Sequence, residues 1–219
     1  MLSICLFLIL CLGISEECPP PESLTPCLCR IEPLSKAREI LCYDINNEQT
    51  LSNAISAIRG RTDIYGVKIQ DSVLNYIPHD TFSDVRIKEL EISDSSLSSL
   101  SDTDIAFEGL EDYLDNLFFT DCIFMGSWDW EKLKNLRRLL SLEIRGGQFE
   151  SIDKDIKDIG HLDIKIFNFA RNKISYIDDE AFAMFKNLLS LDLSDNFITE
   201  MKRDMLPNPA LNLRKIDLR

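Results

Sequence analysis

Apolar residues recur along this chain in a short fixed pattern. An apolar residue at position 1 is followed by others at positions 4, 6 and 11. The pattern starts at Ile64, Ile87, Leu114, Leu139, Ile164, Leu188 and Leu213, so successive copies lie 23, 27, 25, 25, 24 and 25 residues apart. The clearest copies are late ones: Ile164, Phe167, Phe169, Asn172, Ile174 and Ile177, then Leu188, Leu191, Leu193, Asn196 and Ile198. Positions 4 and 6 bracket a single residue, a period of two that predicts a short strand with its apolar side chains turned inward. One such unit is too thin to bury a core of its own, so stability must come from stacking.

Position 9 carries Ser72, Ser95, Cys122, Gly147, Asn172 and Asn196. A side chain turned inward there can serve backbone groups that stacking would otherwise bury without partners. Cys122 is thereby expected to be a buried thiol, and Gly147 marks the weakest copy. Segments Thr103 to Tyr113 and Trp128 to Arg138 carry apolar residues at helix-like spacing, as Ala181, Phe182, Phe185 and Leu188 do more briefly. Trp128 and Trp130 are expected to fill the core of an enlarged third copy, with an exposed partner site as the alternative.

The pattern is L-x-x-L-x-L-x-x-N/C-x-L, that of leucine-rich repeats. It predicts an α/β solenoid with a curved parallel sheet on the concave side and short helices and loops on the convex side. About six full copies and a truncated seventh occupy residues 46–219. The seventh starts at Leu213 and the sequence ends at Arg219 with no C-terminal cysteine cap, which reads as a fragment of a longer protein.

Residues 1–15 form an apolar run, Leu6 to Leu10, ending in Gly13 and Ser15, and read as a signal peptide with an uncleaved anchor as the competing view. The run is short for a membrane span, and no later segment is apolar enough for one. Cys5 and Cys11 would leave with it. Cys18, Cys27, Cys29 and Cys42 then cluster in residues 16–45, as in a local disulfide framework made in an oxidising compartment. Spacing alone leaves three pairings open.

That block resembles the cysteine-rich cap that precedes extracellular leucine-rich repeats, with its Pro19 to Pro21 run and Pro26-Cys27-Leu28-Cys29 motif. Ile77-Pro78-x-x-Thr81-Phe82 resembles the extracellular repeat consensus. The resemblance implies pairing of Cys18 with Cys29 and Cys27 with Cys42. Within this group the sequence is similar to secreted arthropod proteins akin to the non-catalytic subunit of oplophorus luciferase, in which the chemistry belongs to an unrelated subunit.

The residues carry no motif of enzyme chemistry and imply no cofactor. The two histidines, His79 and His161, lack the convergent partners of a zinc site or a hydrolase triad, and there is no phosphate-binding or nucleophile-elbow motif. The net charge of -13 argues against nucleic acid as a partner. No Asn-x-Ser/Thr sequon is present, which leaves the concave face free of N-glycan.

On that face the residue at position 5 forms a column: Lys68, Glu91, Phe118, Glu143, Asn168, Asp192 and Asp217. Flanking it are Tyr65, Asp71, Glu89, Asp94, Asp121, Arg145 and Arg171. Tyr65, Lys68, Glu91, Phe118, Glu143, Arg145, Asn168, Arg171 and Asp192 are the candidate protein-binding residues. Phe118 would be the apolar anchor, with Glu91 and Glu143 steering a basic partner. A solvated acidic surface is the alternative. The expected function is a secreted binding scaffold or accessory, non-catalytic subunit. The alternative is a fragment of a membrane receptor or adhesion-protein ectodomain.

Overall fold

The computed structural model describes residues 18–219; the signal peptide expected at residues 1–15 lies outside them. Among the described residues, nine strands form one sheet in chain order. They are β1 (Leu28–Ile31), β2 (Arg38–Tyr43), β3 (Ile64–Gln70), β4 (Glu89–Ser93), β5 (Asn116–Thr120), β6 (Ser141–Arg145), β7 (Ile166–Asn168), β8 (Ser190–Asp192) and β9 (Lys215–Asp217). β1 is antiparallel to β2 and every later pairing is parallel. Parallel neighbours require a crossover, and each crossover is the convex half of one repeat.

The register matches the repeat position by position. Val67, Leu90, Leu117, Leu142, Phe167 and Leu191 align across β3 to β8, and all six are fully buried. This is a leucine-rich-repeat solenoid.

The N-terminal end is closed by the β1–β2 hairpin with Cys18 bonded to Cys29 and Cys27 to Cys42, at Cα separations of 5.8 and 4.2 Å. β2 already behaves as a repeat strand, with Ile40 and Cys42 aligned to Val67 and Ile69. Leu24, Ile40, Cys42 and Ile45 are buried with the first repeat's core. The helix Glu48–Ser56 follows, capped by the Asn47 side chain, which accepts from the Thr50 N–H, and it buries Leu51, Ala54 and Ile55.

Elsewhere the convex side is less helical than the spacing suggests. Thr103 to Tyr113 forms turns although Ala106, Phe107 and Leu110 are buried. Phe107 (φ 59°) and Gly109 (φ 99°) take left-handed backbone, which no α-helix accommodates. A Cβ on Gly109 would meet the Phe82 carbonyl, so the close approach needs glycine. Trp128 to Arg138 yields one 3-10 turn, Trp130–Leu133, capped by Asp129, and Lys154–Ile159 forms another, capped by Asp153. Trp130 is buried in the core, and Trp128 packs against it half-buried.

Position 9 works as a backbone-serving ladder. Asn172 donates to the carbonyls of Ile144, Phe169 and Ala170 and accepts from the Phe149 N–H. Asn196 repeats this with Phe169, Leu193 and Ser194, and accepts from Ile174. The shorter Ser72 and Ser95 hydroxyls accept from the N–H groups of Ile45 and Ser72. Cys122 donates to the Ile92 carbonyl at 3.2 Å; it is the unpaired cysteine of the described residues, and burial pushes its thiol up to about 11. Asn172→Ala should lower stability by about 1–3 kcal/mol, since buried carbonyls lose their donor. A urea midpoint equal to that of the native chain would show that water serves them equally well.

Position 8 has a conformational rule that apolar spacing does not reveal. Asp44, Asp71, Asp94, Asp121, Gly146, Arg171 and Asp195 all have φ between 49° and 65°. Each N–H donates to the position-7 carbonyl of the next repeat, as Asp94 does to Thr120 and Asp121 to Arg145. Asp tolerates left-handed backbone better than most residues, so these aspartates follow from turn geometry.

Candidate functional site: the concave sheet face

The concave face is built by the odd positions of each strand, which point away from the core because successive strand residues alternate sides. In register across β3 to β9 stand Lys68, Glu91, Phe118, Glu143, Asn168, Asp192 and Asp217. Phe118 is half-buried, while its neighbours Leu117 and Phe119 are wholly buried. The aromatic ring therefore stands on the sheet face, between Glu91 on β4 and Glu143 on β6.

Side-chain pairing across strands organises the charge. Lys68 Nζ lies 3.1 Å from Glu91, 3.7 Å from Glu39 and 3.9 Å from Glu89, so three carboxylates share one ammonium. Glu39 is itself buried and also held by Arg30 at 2.7 Å. On the other side of Phe118, Glu143 pairs with Arg145 at 3.2 Å and accepts from the Asn168 amide at 3.2 Å. Asp192 lies 3.8 Å from Lys215 and accepts from the Ser194 N–H and hydroxyl. The cations on the face are thus engaged internally, and the surplus carboxylates set its sign.

Tyr65 is exposed at the start of β3 beside Glu89, with Asn116 within hydrogen-bonding reach. Arg171 does not join the face: it sits in the left-handed turn beyond β7, 3.8 Å from Asp121. Asp71, Asp94 and Asp121 occupy the equivalent rim turns.

Desolvation raises the carboxyls of Glu89 and Glu143 above the ordinary glutamate range, with the Lys68 and Arg145 charges acting the other way. A raised folded-state value means the native protein binds protons more tightly than the unfolded chain. The stability these groups contribute is fully present below the unfolded value, near 4.3, and is lost as pH rises through the folded value. Glu143→Gln should therefore flatten the acid side of the stability profile and leave the protein no less stable at pH 7. Urea midpoints measured from pH 4 to 7 check this; a variant weaker at pH 7 would mean that the Arg145 pairing outweighs desolvation.

No protein-family model matches the sequence, and no curated protein matches it. Among solved structures the chain is similar to TLR13 in the TLR13–ssRNA13 complex, at TM-score 0.52 and 14% identity, covering 81% of this chain and 31% of that one. The likeness is one of fold. A leucine-rich-repeat protein of Leptospira interrogans follows at TM-score 0.49 and 16% identity, covering 80% of this chain and 46% of that one. Internalin C2 from Listeria monocytogenes gives 0.47 and 19%, covering 83% and 80%. This chain spans less than half the length of the first two.

Among the described residues, no group of three or more His, Cys, Asp or Glu is placed to hold a metal ion. His79 pairs with Asp102 at 3.3 Å and His161 contacts the Lys134 carbonyl at 2.8 Å, each on the surface. No helix of the described residues is long and apolar enough to cross a membrane.

Proposed function

We propose that this chain is a secreted, non-catalytic binding scaffold or accessory subunit that grips a basic protein partner with its concave face. The observation that carries the reading is Phe118, an aromatic ring held half-buried between Glu91 and Glu143 on a face whose own cations are already paired. A rigid aromatic anchor ringed by charge is the arrangement of an interface hot spot, with the carboxylates guiding approach. Excess negative charge disfavours nucleic acid, which requires clustered Lys and Arg. Secretion is supported by the two cap disulfides, which need an oxidising compartment, and by the apolar leader in the sequence. The accessory part of this reading extends from the cap motif and repeats, which in sequence resemble accessory chains of the arthropod luciferase kind, where another subunit performs the chemistry.

Selection of displayed random peptides on the native protein, with Phe118→Ala as counter-target, tests the site. Lys- or Arg-rich peptides with one apolar residue should emerge and bind Phe118→Ala at least about tenfold more weakly, a loss on the scale of one hot-spot side chain. The variant's unfolding free energy should stay within about 1 kcal/mol of the native value, because the ring is not part of the core. Peptides that bind both proteins equally would move the site off this face. Expression with the native leader in eukaryotic cells should yield medium protein beginning at Glu16.

A further inference from the structure

Repeats three and four depart from the pattern in one place. Position 11 is Leu74, Leu97, Ile174 or Ile198 in other repeats, but Phe124 and Phe149 in these two, and position 9 of repeat four is Gly147. The short edge ladder past the main sheet also breaks there. Val73–Leu74, Ser96–Leu97 and Ile123–Phe124 pair as one three-stranded strip, whereas Ser151–Ile152 begins a second strip with Tyr176–Ile177.

The break opens a cavity of about 270 Å³ lined by Phe124, Trp128, Trp130 and Phe149, with Glu150 and Asp153 among the polar lining residues. Its volume lies just below the roughly 300–1,000 Å³ typical of sites for drug-sized ligands. The rings meet edge to face: Trp128 lies 4.9 Å from Phe124, 5.2 Å from Phe149 and 5.4 Å from Trp130, at interplanar angles of 70° to 78°. The loop passes so close to the preceding repeat that a Cβ at Gly126 would collide with the Ser98 carbonyl. No lysine or arginine lines the cavity. The Trp128 indole Nε1 is buried and meets no hydrogen-bond partner among the described residues, an uncommon state for a buried donor.

We propose that this cavity binds an alkylated ammonium group, the head of a small organic cation. An aromatic lining attracts a diffuse positive charge and accepts its N-methyl surfaces without needing hydrogen bonds from it. The Glu150 and Asp153 carboxylates, both exposed, favour a cation over a neutral molecule of the same shape. Free choline and a trimethyllysine side chain share the cationic group and differ in what carries it.

Trp128 and Trp130 are the chain's two tryptophans, so intrinsic fluorescence reports on this cavity directly. Choline titrated into the native protein at constant ionic strength should give a saturable change. The neutral isostere 3,3-dimethylbutanol should bind about tenfold more weakly or not at all. Phe149→Leu, which restores the aliphatic residue of other repeats, should weaken choline by about tenfold. Glu150→Gln with Asp153→Asn, confined to exposed positions, should weaken it a few-fold and lessen its salt dependence. A trimethyllysine peptide that binds more tightly than choline would identify a protein side chain as the source, and the reverse order a free metabolite. No saturable change with either compound, or equal binding of the isostere, would overturn the proposal. The same would follow if Phe149→Leu folds normally and binds choline like the native protein.

Discussion

Phe167→Ala should destabilise the solenoid by about 3–5 kcal/mol, the range for emptying a buried phenylalanine site. Phe167 is fully buried at position 4 of repeat five, aligned with Leu142 on one side and Leu191 on the other. Its ring stacks on Phe169 at 5.4 Å and meets Phe185 edge-on at 4.8 Å and Phe182 at 5.7 Å. The three remaining rings of this turn cannot close over the space left by Phe167 without moving backbone. Stability in a stacked array is close to a sum of repeat and neighbour-interface energies, so the loss also weakens coupling between the repeats on either side. Urea unfolding followed by far-UV circular dichroism should show a lower midpoint and a broader transition. A loss under about 1 kcal/mol would mean that the aliphatic neighbours carry the core without the aromatic stack.

Replacing Cys27 and Cys42 together by Ala should cost about 3 kcal/mol or more. The bridge closes a 15-residue loop, for which restriction of the unfolded chain alone gives about that value. Both half-cystines are also buried in the core, Cys42 completely, so their removal leaves space under the first repeat. The Cys18–Cys29 bridge spans 11 residues, and Cys18 is only half-buried, so Cys18→Ala with Cys29→Ala should cost less. Thermal unfolding of both double variants distinguishes the two contributions. Equal losses would argue that the bridges act through loop entropy alone and that burial of Cys27 and Cys42 adds nothing.

Much of the architecture was legible in the residues because a stacked repeat leaves one mark at every turn. Leu117 and Phe119 point inward and Phe118 outward as the period of two requires, and the occupants of position 9 reach the backbone groups that such a position must serve. The cap pairing, Cys18 with Cys29 and Cys27 with Cys42, is the one the family resemblance implied. Helix-like spacing placed these segments on the convex side, among its short helices and loops, without telling one from the other, since Ala106, Phe107 and Leu110 are buried by turns as effectively as by a helix. Apolar spacing records which side chains face the core and is silent on the backbone path that brings them there. Position 8 is the converse case: Asp71, Asp94 and Asp121 read as part of a charged face, yet their left-handed backbone places them, with Arg171, in the rim turns.

Repeat length, the inward set of apolar residues and the central concave column follow from the residues alone, because each depends only on spacing within a unit. What lies between units was decided by the tertiary structure. The three glutamates around Lys68 come from β2 and β4. The desolvation of Glu143 depends on neighbours supplied by other strands. The aromatic cavity exists because repeats three and four carry phenylalanine at the same position and stack side by side. Distances across repeats are fixed by twist, register and loop path, none of which is written in the period of the hydrophobic pattern.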